Sequence, residues 1–109
     1  MRVRELSREE RPREKLLAWG PAACSTAELL AVLLRTGTRQ HGVLELAQNW
    51  LAEVGGLPGL SRLSPETILK RKGVGKAKAA TLLAALELSR RLAAEELRLG
   101  AVLDSPEAG

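Results

Sequence analysis

From residue 12 onward the apolar positions recur with the period of a helix, and no stretch alternates with the period of a strand. Pro12 suits the first turn of a short helix reaching about Trp19, where Gly20-Pro21 ends it. Ser25-Thr26-Ala27-Glu28 has capping-box spacing and starts a second helix. Leu29, Leu30, Leu33 and Leu34 form its apolar stripe, which Thr36-Gly37-Thr38 breaks. A third helix is expected from about Val43 to Val54, with Leu44, Ala47, Trp50 and Leu51 on one face and Gly55-Gly56 as its stop. Leu57 to Leu63 contains Pro58 and Gly59 and reads as a short helical turn. Ser64-Pro65 is an N-cap followed by proline at the first helical position, which starts a helical stretch running to Lys72. The last helix is expected from Ala79 to about Glu96. It is apolar almost all round as far as Leu88, which marks it as the buried, central one, and Arg90, Arg91, Glu95 and Glu96 bring it back to solvent. The pattern therefore predicts an all-α domain of five or six short helices over 12–98. A charged arm precedes it at 1–11, and a flexible tail or junction follows at 99–109, where Asp104-Ser105-Pro106 has turn chemistry.

Composition agrees. The 109 residues suffice for one domain with a modest core, and abundant Leu and Ala with few aromatic residues favour helices over sheets. Cys24 is the only cysteine, which fits a reducing compartment. The N-terminus is charged from Arg2 onward, unlike a signal peptide, and no apolar run approaches the ~20 residues of a membrane span. A soluble cytoplasmic protein is the expectation.

Charge changes the picture more. The formal net charge is +4 and the pI about 9.8. From Arg62 to Lys78, six basic residues (Arg62, Lys70, Arg71, Lys72, Lys76, Lys78) face one acid, Glu66, so that this short segment carries the whole positive excess and the remainder of the chain is close to neutral. At its centre lies Gly73-Val74-Gly75-Lys76-Ala77-Lys78. Two glycines around one aliphatic residue make a tight hairpin between helices. The first can take the left-handed conformation that ends a helix, and the second leaves backbone bare where the next begins. The unpaired N–H groups and positive end of that next helix suit a phosphate oxygen. Val74 is expected to point into the core. Gly73, Val74, Gly75, Lys76, Ala77 and Lys78, with Lys72 and Arg71, are the candidate DNA-binding residues, Lys76 and Lys78 being the charged partners. The alternative use of such a hairpin is as a packing joint, and basic residues at the end of the preceding helix also complement that helix's dipole.

The other chemistry-bearing residues point nowhere specific. His41 stands alone in a polar loop and makes no metal site, and Cys24 has no base placed beside it. Trp19 and Trp50 read as core or rim residues, and without Phe or Tyr the chain lacks a base-stacking platform. In several DNA glycosylases that carry a similar hairpin, a catalytic lysine occupies the slot held here by Ala77. No enzyme activity, no cofactor and no metal are expected.

The order of motifs resembles the N-terminal domain of bacterial RadC-type proteins. The resemblance covers roughly 12–93, from Pro12-Arg13-Glu14-Lys15-Leu16-Leu17 and Ser25-Thr26-Ala27-Glu28-Leu29-Leu30 through Arg35-Thr36-Gly37, Val43-Leu44-Glu45-Leu46-Ala47 and Gly55-Gly56-Leu57-Pro58-Gly59-Leu60 to Gly73-Val74-Gly75-Lys76-Ala77-Lys78 and Leu86-Glu87-Leu88. It implies a helix-hairpin-helix domain, a loose link to DNA repair, and a following metalloprotease-like domain of JAMM/MPN type. That domain's His-x-His and Asp signature has no counterpart among His41 and Asp104, the only histidine and aspartate of this chain. The expected activity is sequence-independent binding of duplex or branched DNA through backbone phosphates. With about 2–4 phosphates neutralised, log affinity should fall against log salt with a slope near −2 to −4. The competing expectation is a protein-interaction module that docks a partner, or the C-terminal domain, on the apolar faces of the second and third helices. No membrane partner is expected.

Overall fold

The computed structural model describes residues 11–35 and 42–104. The arginines of the expected arm before Arg11, His41 and the last residues of the expected tail lie outside the described residues. Six α-helices and one 3-10 turn make up the described chain: α1 (Arg11–Trp19), the 3-10 turn (Pro21–Ala23), α2 (Thr26–Leu34), α3 (Val43–Val54), α4 (Gly56–Ser61), α5 (Pro65–Lys70) and α6 (Gly75–Asp104). The all-α expectation holds, and among the described residues no helix is long and apolar enough to cross a membrane.

Local chemistry sets the boundaries. Ser25 accepts a hydrogen bond from the Glu28 N–H at 3.1 Å, and the Glu28 carboxylate accepts one from the Ser25 N–H at 2.7 Å. That reciprocal box starts α2. Lys15 donates to the same carboxylate at 3.1 Å and ties α1 to α2. These bonds, the Ser25 backbone N–H first, hold the Glu28 carboxyl below its ordinary pKa. Ser64 caps α5 by accepting from the Thr67 N–H at 3.2 Å, with Pro65 at the first helical position. Gly55 ends α3 in the left-handed conformation.

The core gathers Leu30, Ala31 and Leu34 from α2, Val43, Ala47 and Trp50 from α3, Leu60, Ile68 and Val74, and Ala79 and Leu82 from α6. The apolar faces of α2 and α3 are therefore turned against each other. Of the positions the sequence put on those faces, Leu30, Leu34, Ala47 and Trp50 are buried in the core, and Leu33, Leu44 and Leu51 are partly buried against it. Gly59 lies where α4 comes closest to α3, against the Val54 carbonyl, and only a residue without Cβ fits there. Trp50 is a core residue, whereas Trp19 is 73% exposed and belongs to neither core nor rim.

The largest departure is α6. It begins four residues before Ala79 and runs to Asp104, so residues 99–104, expected in the tail, are helical. Only its first three turns are buried, and every residue from Glu87 to Leu99 is exposed. Length explains this. At ~1.5 Å per residue a 30-residue helix measures about 45 Å. None of the other helices exceeds 12 residues, or about 18 Å. Short helices can bury only the near end of a long one.

Candidate nucleic-acid interface

α5 ends at Lys70, α6 starts at Gly75, and the residues between form a hairpin that rests on α3. Both glycines have positive φ, +90° at Gly73 and +71° at Gly75, a region that residues with a Cβ seldom enter. Gly73 also sits close to Leu46 of α3: a Cβ there would meet its Cδ2 at 3.4 Å. Val74 between them is 2% exposed and anchors the hairpin in the core, as its position predicts. The Val74 N–H donates back to the Arg71 carbonyl at 3.1 Å, which tightens the turn.

The N–H groups of the first turn of α6 have no intrahelical acceptor, and Val74, the residue before it, has no side-chain oxygen with which to cap them. Gly75, Lys76 and Ala77 are exposed, and a Cβ at Gly75 would meet nothing within 4 Å. The positive end of a long helix thus opens to solvent beside Gly73 and Gly75, with Lys72 and Lys76 exposed on either side. Neither lysine has an ion-pair partner among the described residues.

Two of the candidate cations are placed differently from the sequence expectation. Lys78 is 5% exposed, and its Nζ donates to the Gly73 carbonyl at 3.2 Å. Its side chain folds back under the hairpin and fastens it, so Lys78 is not a solvent-facing charge. Burial pushes its ammonium pKa below the ordinary value of 10.5. The signal that could have revealed this is spacing. Val74, Lys78 and Leu82 are four apart, so a helix that starts at Gly75 sets Lys78 on the same face as two core residues. Arg71, half-buried, is likewise engaged by its own fold. Its guanidinium forks onto the Glu53 carboxylate, with Nη2 to Oε2 at 3.1 Å, and lies 5.7 Å from the centroid of the Trp50 ring. These bonds, and the charge of Arg71 itself, hold the Glu53 carboxyl below its ordinary pKa. Glu53 and Trp50 lie three apart on one face of α3, so Arg71 latches the entry of the hairpin to that helix.

The surface that remains consists of Gly73, Gly75, Lys76 and Ala77 with Lys72: bare backbone, a helix N-terminus and two uncompensated ammonium groups. Such a surface suits a tetrahedral oxyanion and offers nothing to read a base edge. Among the described residues no cluster of His, Cys, Asp and Glu could hold a metal ion.

Comparison with known proteins matches residues 3–80 to the family described as UPF0758 N-terminal, a span that ends just beyond the hairpin. Curated relatives extend the similarity over nearly the whole chain. A UPF0758 protein of Polaromonas sp. is 49% identical over 108 residues, covering 99% of this chain and 48% of the relative. One of Halorhodospira halophila is 50% identical over 106 residues, covering 97% and 47%. One of Carboxydothermus hydrogenoformans is 54% identical over 90 residues, covering 83% and 40%. The chain thus spans about half the length of the curated relatives it matches. No solved structure matches it.

Proposed function

The chain belongs to the UPF0758 family, RadC-type proteins whose N-terminal domain it carries, and from that premise we propose that its hairpin binds DNA through backbone phosphates without reading sequence. The observation that carries the reading is the exposed start of α6. It brings bare N–H groups and the positive end of the helix dipole to the surface, with the exposed Lys72 and Lys76 close by in the chain, while Val74 and Lys78 hold the turn from beneath. A phosphate held there accepts hydrogen bonds from the N–H groups near Gly75 and Lys76, and Lys76 and Lys72 neutralise it and its neighbour. Lys78 is buried and Arg71 is held by Glu53, so the contact covers fewer phosphates than the count of basic residues suggests. About two are neutralised, and the salt slope is near −2. Binding at this level is weak. It suits a domain that positions a larger protein on duplex or branched DNA, in keeping with a role in repair inside the cell, and it requires no catalysis by this domain.

The test is fluorescence anisotropy with labelled single-stranded, duplex and branched DNA across a salt series, on this chain and on a Lys72→Glu/Lys76→Glu variant. Salt-sensitive binding of the parent that disappears in the variant is the expected outcome. No binding at low salt, or binding indifferent to the variant, overturns the proposal.

A further inference from the structure

We propose that the outer half of α6 pairs, in parallel, with the same segment of a second copy of this chain. Ala85, Leu92 and Leu99 recur every seven residues along α6, and Leu88 falls between the first two at the complementary heptad position. Leu88, Leu92 and Leu99 are 68%, 59% and 58% exposed and form an apolar seam, whereas Leu97, 76% exposed, lies alone on the opposite side of the helix. The seam's exposed leucines face away from the globule, while Ala85 at the near end is half-buried. At ~100° per residue Leu88, Leu92 and Leu99 lie about 130° around the helix from Ala79, Leu82 and Leu86, which pack on the core. Two copies can therefore meet along the seam with both globules on the outer sides.

Charge selects the occupant and its direction. Arg91 and Glu96 flank the seam on opposite sides and are five residues apart. In a parallel pair of helices this is the spacing at which the residue before one heptad's core position meets its counterpart on the partner. Each Arg91 then faces the Glu96 of the other copy, twice by symmetry. In the antiparallel arrangement the side that carries Arg91 and Arg98 meets itself, cation against cation. The Arg91 Nε also donates to Glu87 Oε2 at 3.0 Å within its own helix, but that pair is exposed and yields readily.

The seam is short. Ala85 to Leu99 spans about 21 Å, and Glu95 takes a core position where it faces its own copy, so the pairing is weak. It puts both hairpins at the same end of the dimer. The pairing stands whether or not the hairpin binds DNA.

Sedimentation equilibrium from ~10 µM to ~1 mM tests it on the whole chain. The average mass should climb from 11.7 kDa toward twice that value. Arg91→Glu alone and Glu96→Arg alone set like charges across the seam, and each should weaken association at least roughly fivefold. An equimolar mixture of the two should recover it, because each Glu then meets an Arg. Leu92→Glu should stay monomeric while its far-UV circular dichroism remains that of a folded globule, since Leu92 lies outside the core. A chain that is monomeric throughout overturns the proposal. So does a dimer that survives Leu92→Glu, or a mixture that associates no better than its components.

Discussion

Replacing Arg71 with alanine separates a structural cation from a DNA-binding one. In the structure its guanidinium is shared between the Glu53 carboxylate and the Trp50 ring, and Trp50 is 2% exposed. Removing the cation–π contact costs about 0.5–1 kcal/mol at a partly exposed site. Wetting roughly 20 Å² at the edge of the Trp50 ring adds on the order of 0.5 kcal/mol. A loss of about 1 kcal/mol lowers the Tm of a domain this size by about 4–8 °C, which thermal circular dichroism resolves. Glu53 adds a pH signature. Its folded pKa is depressed below 4.5 by Arg71, so the stability it contributes is present above that value and is lost as pH falls through the folded pKa. The variant has no such contribution to lose, and its melting curve should approach that of the parent as pH drops below 4.5. Its salt slope for DNA binding should equal the parent's. An unchanged Tm together with a slope shallower by about 1 would mean that Arg71 meets phosphate rather than Glu53, and would refute the reasoning.

Two further substitutions probe the hairpin's support. Gly59→Ala drives a methyl group into the Val54 carbonyl oxygen, and because the obstacle is backbone, α4 must move off α3. The expected loss is about 2–3 kcal/mol, seen as a Tm at least ~10 °C lower, and an unchanged melt would show that the helices do not meet there. Lys78→Met removes an ammonium whose folded pKa lies below its unfolded value of 10.5. In the parent, stability from this group rises as pH climbs from the folded pKa toward 10.5, because the unfolded chain then binds more protons. Urea midpoints at about pH 8 and pH 10.5 should diverge for the parent relative to Lys78→Met; parallel behaviour would place Lys78 in solvent.

Much of this architecture is legible from short-range chemistry. The Ser25–Glu28 box, the Ser64-Pro65 start and the Gly55 stop each act within three or four residues, and the helices they delimit fall where the sequence puts them. The hairpin is legible for the same reason, since Gly-Val-Gly fixes both the turn and the anchor. What escapes is direction and neighbourhood. Whether Lys78 points out or in depends on whether it belongs to α6: with the helix starting at Gly75 rather than Ala79, Lys78 lies about 40° around from the buried Leu82, on the core side. The Arg71–Glu53–Trp50 cluster joins residues about twenty positions apart and exists only once the hairpin has settled on α3. The apolar run from Ala79 to Leu88 predicts burial correctly for Ala79 and Leu82, but burial also needs something to bury against, and at Leu88 the neighbours have run out.

The division of α6 has a consequence in time. A single hydrogen-bonded ladder runs from Gly75 to Asp104, yet its two ends are held by different forces. Amides near Leu82, locked beneath the core, exchange with solvent only when the whole domain opens. Those beyond Arg90, whose guanidinium still reaches the Ser61 carbonyl, rest on helix propensity with Gly100 interrupting it, and a solvated segment of that length frays on its own within microseconds. Deuterium should therefore enter this one helix at two rates set orders of magnitude apart, with the boundary falling within a turn of Leu86.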